Sequence, residues 1–175
     1  MLIRARSIIG LPIIEMIGLK KIATVSNILV DPENGAIIAL LLKKDSFLDR
    51  NKIVANRDVK EFFSDAVMIH EFANIVEASE VVRAKDILVK KTFLLQSKVF
   101  TAEGKFLGYL EDFVFDQDFS QLMTLVVKKR FSQERRIISA ERIINISSGR
   151  IIIRDAGIKM PSIKNGKIVD APAMS

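Results

Sequence analysis

The stretch Gly104–Asp116, GKFLGYLEDFVFD, alternates with a period of two, the period of a β-strand. Phe106, Gly108, Leu110 and Asp112 fall on one face, and Leu107, Tyr109, Glu111 and Phe113 on the other. Gly104–Lys105 precedes the strand as a turn, and QDFSQ follows its terminal Asp116 as another. Residues 19–31, LKKIATVSNILVD, have the same shape and the same terminal aspartate, Asp31.

Working outward from the two aspartates gives an offset of 85 residues. AIIALLLKK (Ala36 to Lys44) then falls on QLMTLVVKK (Gln121 to Lys129), with Leu40, Lys43 and Lys44 identical to Leu125, Lys128 and Lys129. With one residue dropped in the next loop, KIVANRDVKEF (Lys52 to Phe62) falls on RIISAERIINI (Arg136 to Ile146), and VMIHE on IIIRD. One structural unit is used twice. The reading is a first copy over residues 1–78, a linker over 79–90, a second copy over 91–157 and a tail over 158–175. The linker is expected to be a short helical or extended segment whose Ile87, Leu88 and Val89 begin the second copy.

Each copy reads as all-β, with about six short strands rich in Ile, Val, Leu and Phe. Asp31–Gly35, DPENG, is a turn in which Pro32 fixes φ and Asn34–Gly35 accept positive φ. NRDVKEFF and AERIINI each read as a single helical turn leading back to a strand. Runs such as IIALLL point to strands covered on both sides, as in a small closed barrel, which also removes exposed sheet edges.

Composition narrows the chemistry. The chain has 175 residues, 49% of them hydrophobic, with a mean hydropathy of +0.25. It has no cysteine, which excludes disulfides, thiolate metal sites and cysteine nucleophiles. A single histidine, His70, excludes a histidine-cluster metal site, and a surface position is expected for it. The N-terminal apolar run is not read as a signal peptide: Glu15 and Pro12 interrupt it, and Lys20–Lys21 follow where small residues would stand. No stretch is long and uncharged enough for a membrane span. No phosphate-cradling glycine loop, nucleophile elbow or zinc-protease motif occurs, so no enzyme and no cofactor are expected. A cytoplasmic location is expected.

The order IIGLPII, KKIATVSNILVD, NGAIIALLLKK, KIVANRDV, AVMIHE resembles the PRC-barrel domain family. The second copy carries its Gly-Lys turn (Gly104, Lys105), its strand glycine (Gly108) and both aspartates (Asp112, Asp116). The first keeps Gly10, Asp31 and Gly35 but has Ala23 for the strand glycine and Asn27 for the first aspartate. The resemblance implies two tandem PRC-type β-barrels. It also implies an adaptor role: members include the cytoplasmic domain of a reaction-centre subunit on a membrane complex and the C-terminal half of a ribosome-maturation factor that binds small-subunit proteins. No catalytic residues come with it.

Two groups of side chains stand out. Glu111, Asp112, Asp116 and Asp118 form the densest acidic cluster. The aspartates at a strand end are read as acceptors of backbone N–H groups rather than as ion ligands. Lys128, Lys129, Arg130, Phe131, Arg135 and Arg136 form a basic loop with an aromatic. The net charge of +6 is concentrated in the second copy and tail, +3 over residues 91–157 and +2 over 158–175, against +1 over residues 1–76. Such a loop can meet an acidic protein, a phosphate backbone or anionic lipid, or simply be solvated. The expected function is a non-enzymatic adaptor binding a protein partner at this loop or between the barrels. An RNA- or ribosome-associated factor is the alternative, followed by a peripheral component of a membrane complex. In the tail, NGKIV is expected to be loose, or to add a strand to its own barrel or to a neighbour's, the last a route to a homodimer.

Overall fold

The computed structural model describes residues 2–46, 48–116, 118 and 120–155, and the backbone of residues 162–164 and 167–169. Strand β1 (Leu2–Arg4) and the one-turn helix α1 (Ala5–Ile8) come first. The first copy then runs through β2 (Pro12–Glu15), β3 (Lys21–Val30), β4 (Ile37–Leu42), β5 (Lys52–Ala55), β6 (Val59–Phe62), β7 (Val67–Ile69) and β8 (Ile75–Glu77). Helix α2 (Val82–Lys90) connects to the second copy: β9 (Lys98–Thr101), β10 (Phe106–Asp116), β11 (Leu122–Lys128), β12 (Arg135–Ser139), β13 (Ile143–Ser147) and β14 (Arg150–Ile153). β15 (Ser162–Lys164) and β16 (Lys167–Val169) follow.

The two curled sheets share one frame. The first is ordered β6-β7-β2-β3-β4-β5-β8, and the second β13-β14-β9-β10-β11-β12 at its centre. In each, the opening strand pairs parallel with the last strand of the frame, β2 with β7 and β9 with β14. In each, a single 3-10 turn precedes a return strand, Asn56–Asp58 in one copy and Ala140–Arg142 in the other. The chain is thus all-β, built as two small barrels. The first copy departs from the single helical turn expected of it, with further 3-10 turns at Phe72–Asn74 and Ala78–Glu80 on either side of β8. The repeat extends to backbone detail. Gly10 N–H donates to Val25 and Val25 N–H to Leu11; Gln96 N–H donates to Leu110 and Leu110 N–H to Ser97. Gly10 and Gln96 both hold positive φ, 92° and 67°, to make that turn.

The central strands depart from simple alternation. β10 slips register against β11 at Leu110/Asp112 and at Val114/Phe115, and β3 slips against β4 at Val25/Asn27 and Leu29/Val30. These are the same positions in the two copies. At the first the extra residue lies on the long strand, Glu111 on β10 and Ser26 on β3, and shifts every later side chain of that strand to the other face; at the second it lies on the partner, Met123 on β11 and Ile38 on β4. The two-face assignment made from the sequence therefore fails along β10. Leu107, Leu110, Phe113 and Phe115 all enter the core, while Tyr109 and Glu111 stay half-buried on the outer side.

One core serves both barrels. Ile13, Val25, Ile28, Leu40 and Val67 of the first copy belong to the same apolar cluster as Leu110, Phe113, Leu125, Ile138 and Ile151 of the second. Phe62 meets Phe115 edge-on, their ring centroids 5.9 Å apart. The barrels also exchange backbone bonds: Ile37 N–H donates to Ser120 and Leu122 N–H to Gly35, on either side of a bridge between Ala36 and Gln121. At the repeat offset Gly35 is equivalent to Ser120, Ala36 to Gln121 and Ile37 to Leu122, so the bridge joins equivalent residues and the two flanking bonds exchange across a local twofold axis.

The segment before each copy packs on the other or on the preceding one. β1 pairs antiparallel with β10, Leu2 opposite Asp116, which places the N-terminal strand on the second barrel. α2 lies on the first barrel. Ala84 and Ile87, three residues apart on one helical face, are buried with Leu29, Ala39 and Ile53. Its C-terminus is closed by Lys91 at φ 52°, whose N–H donates to Leu88. Of the two forms expected for the linker, the structure has the helical one, and it corrects one part of that reading. Ile87, Leu88 and Val89 are helical and do not begin the second copy, because the outer face of β3 and β4 gives this apolar face something to bury against. α2 also supplies the second cover that IIALLL called for.

In the tail, β15 adds to the edge of its own barrel at β12, Arg135 opposite Ile163, and β16 folds back on β15. The strand nearest the barrel is therefore Ser162–Lys164, with Lys167–Val169 outside it. The other tail residues lie outside the described residues.

Candidate functional site: the basic loop of the second barrel

β11 ends at Lys128 and β12 begins at Arg135, so the basic residues crowd a hairpin connection. Glu111, placed on the outer side by the β10 bulge and half-buried there, sits beneath it. Arg135 Nε donates to Glu111 Oε2 at 2.5 Å, and Lys128 Nζ lies 3.8 Å from Oε1. Arg6, from α1, donates to the Glu111 carbonyl at 2.6 Å. Partial burial works to raise the Glu111 pKa, but the Arg135 hydrogen bond and charge, with Lys128 and Arg6 nearby, hold it below the usual carboxylate range. Arg135 is held above its usual value by the same hydrogen bond.

Two of the five loop cations are thus spent within the protein. The Arg130 guanidinium stacks on the Tyr109 ring, 4.9 Å from its centroid. Lys129 and Arg136 have no ion pair among the described residues. Phe131 stands fully exposed at the tip, at φ 62°. Behind it is a hollow of about 220 Å³ walled by Arg6, Gln96, Tyr109, Glu111 and Lys129. Five of the six residues picked from the sequence are therefore brought together, in three different states: anchored (Lys128, Arg135), stacked (Arg130), and free for a partner (Lys129, Phe131). Arg136 is half-buried and pairs across the strands with the core residue Val127, on the face opposite Arg135. Sequence reasoning missed Arg6 and Tyr109. Arg6 arrives from the other copy, and Tyr109 was assigned to a strand face that the bulges reorganise.

The same place on the first barrel is open. Thr24, Lys43 and Lys44 stand where Tyr109, Lys128 and Lys129 stand in the second, and they line a hollow of about 710 Å³ with Lys21, Arg50 and Phe72. Without a tyrosine ring the space is unfilled. Arg50 is paired with Glu77 at 2.9 Å.

The acidic positions are structural in their contacts. Asp116 accepts from the N–H and hydroxyl of Ser120, at 2.9 and 2.7 Å, and from Gln121 N–H. Desolvation opposes these bonds, but they leave its pKa lowered. Asp31, buried, accepts from Glu33 N–H and meets the Arg83 guanidinium of α2. Gly35 closes the DPENG turn with φ 72° and an N–H bond to Asp31. Asp112 is fully buried and takes Arg4 Nε at 2.9 Å and Arg6 N–H at 3.0 Å, so it locks β1 and α1 onto the second barrel. Gly104 turns the β9–β10 hairpin, and Gly108 lets β11 pass at contact distance. Among the described residues no cluster of three metal-ligating side chains occurs, and no helix is long and apolar enough to cross a membrane.

A search of curated proteins returns no match. The PRC-barrel domain model matches twice, over residues 1–73 and 92–157, and together the two segments cover most of the chain. With the duplicated frame of strands, bulges and turns, this makes the chain a member of the PRC-barrel domain family that carries two copies of the domain.

Proposed function

We propose that the protein is a non-enzymatic adaptor of the cytoplasm that needs no cofactor and binds a protein partner through the β11–β12 loop. The observation behind this reading is Phe131: a fully exposed phenyl ring on a loop whose base is fixed by the Glu111–Arg135 pair. An aromatic beside an arginine on a rigid support suits a pocket anchor in a protein interface. Lys129 would then meet acidic groups at the pocket rim. The lack of cysteine suits a reducing compartment.

An RNA- or ribosome-associated role is the second reading, and the loop's charge is the feature that favours it. It is the weaker of the two because the Glu111 carboxylate already engages Lys128 and Arg135 and offsets one of their charges. The three or four charges that remain would give a salt slope of only about two to four.

The test is capture of partners from native lysate at low and high salt, with and without nuclease, by the full chain and by Phe131→Ala. The adaptor reading expects a salt- and nuclease-resistant protein that Phe131→Ala loses. Material lost to nuclease or moderate salt, and retained by Phe131→Ala, would transfer the function to RNA.

A further inference from the structure

The hairpin joining β2 to β3 ends in Met16-Ile17-Gly18-Leu19, followed by Lys20 and Lys21. It is closed by Glu15 N–H donating to the Lys20 carbonyl and held to β7 by Met16 N–H donating to Ile69. Ile17 and Leu19 are 70% and 72% exposed and Met16 44%, so three apolar side chains of the turn project into solvent. Leu19 does so at φ 50°, a conformation that a branched apolar residue adopts at a cost.

The second copy supplies an internal control. The same hairpin there is built from Ala102, Glu103, Gly104 and Lys105, with no large apolar side chain. The fold therefore does not require an apolar tip, and the first copy carries one for another reason. Lys20 and Lys21 directly follow the tip, and Lys21 lines the open hollow together with Lys43, Lys44, Asp45 and Asp49. The other acids near this end are Glu15, half-buried at the hairpin base, and Glu71 beside the end of β7.

We infer that the Met16–Leu19 tip inserts into the interface of an anionic lipid bilayer, with Lys20, Lys21, Lys43 and Lys44 facing its headgroups. A short apolar protrusion with two lysines directly at its base matches both layers of such a surface: aliphatic side chains enter the acyl boundary and ammonium groups stay with the phosphates. The site is separate from the Phe131 loop, so the first barrel would face a membrane while the second faces a partner.

The test is sedimentation of the full chain with vesicles of phosphatidylglycerol and phosphatidylcholine, against vesicles of phosphatidylcholine alone. Binding is expected to the anionic vesicles only. Ile17→Glu combined with Leu19→Asn should lower partitioning by about tenfold or more, Lys20→Glu by about fivefold or more, and Phe131→Ala should not change it. The chain has no tryptophan, so Ile17→Trp gives a single reporter whose emission should shift to the blue on anionic vesicles. Failure of the wild type to sediment, equal binding by the tip variants, or an unmoved tryptophan in the pelleted protein would overturn the inference. So would a homodimer in sizing experiments that Ile17→Glu dissociates, since the tip would then dock on a second copy.

Discussion

A Cβ built on Gly108 would lie 2.6 Å from the Lys128 carbonyl oxygen, and the residue holds φ 143°. Both the space and the conformation belong to glycine. Gly108→Ala should therefore cost more than the roughly 1–3 kcal/mol of a strained backbone alone, whereas Gly149→Ala, with open space around it at φ 69°, should cost only about 1–2 kcal/mol. Denaturant unfolding of the two variants checks the contrast. Asp112 gives a second comparison. Asp112→Ala strips the buried acceptor from Arg4 and Arg6 and should cost about 2–3 kcal/mol. Asn27→Ala, at the equivalent position with no strand docked against it, should cost well under that. The difference explains why the first copy can depart from the family pattern there. The turn residues were legible in the sequence because their chemistry is local. The faces of β10 were not, because a bulge leaves no mark in a string of alternating residues.

Glu111 also sets an acid response. Its pKa is lowered in the folded protein, so its pairing contributes stability that is complete above the unfolded carboxylate range and lost as pH falls through the folded value. Asp116 behaves in the same direction. Glu111→Gln should be less stable than wild type at neutral pH, and the gap should narrow on acidification below about pH 4. Thermal melts across that range measure it.

At the scale of elements, the two arms differ. α2 is fastened by Ile87, which is buried, while Val89 on the opposite side is 72% exposed. Ile87→Ala should cost about 2–4 kcal/mol and Val89→Ala less than about 0.5 kcal/mol. Equal losses in urea unfolding would return Val89 to a buried strand. The helix had a sequence signal, since Ala84, Ile87 and Leu88 follow helical spacing. The strong strand character of ILV next to a second copy outweighed it. β1 had no such signal: three residues cannot announce that they pair with a strand more than a hundred positions away. The basic loop was found as a cluster of residues, but its division into anchored and free cations depended on Glu111, which only the fold brings beneath it.

For the whole molecule, the shared core predicts a single unfolding event. Because Phe113 and Phe115 pack in one cluster with first-copy side chains, Phe115→Ala should move the entire calorimetric transition downward by about 3–5 kcal/mol of stability. Two resolved transitions would mean that the barrels fold independently. The duplication itself was readable end to end, since the same offset carries strands, turns and aspartates. How the copies join was not, because Ala36 and Gln121 have no unusual chemistry and meet only through their backbones.

That bridge has a consequence for what the molecule can present. A dimer of identical barrels joined at Ala36 and Gln121 would display every surface twice, so any change would be copied to both ends. Fusing the two into one chain keeps the join but uncouples the ends. One end can grow an apolar hairpin while the other keeps a polar one, and one hollow can be filled by a tyrosine while its twin stays open. The covalent link turns a symmetric object into a directional one, with two unlike poles held at a fixed separation by a shared core.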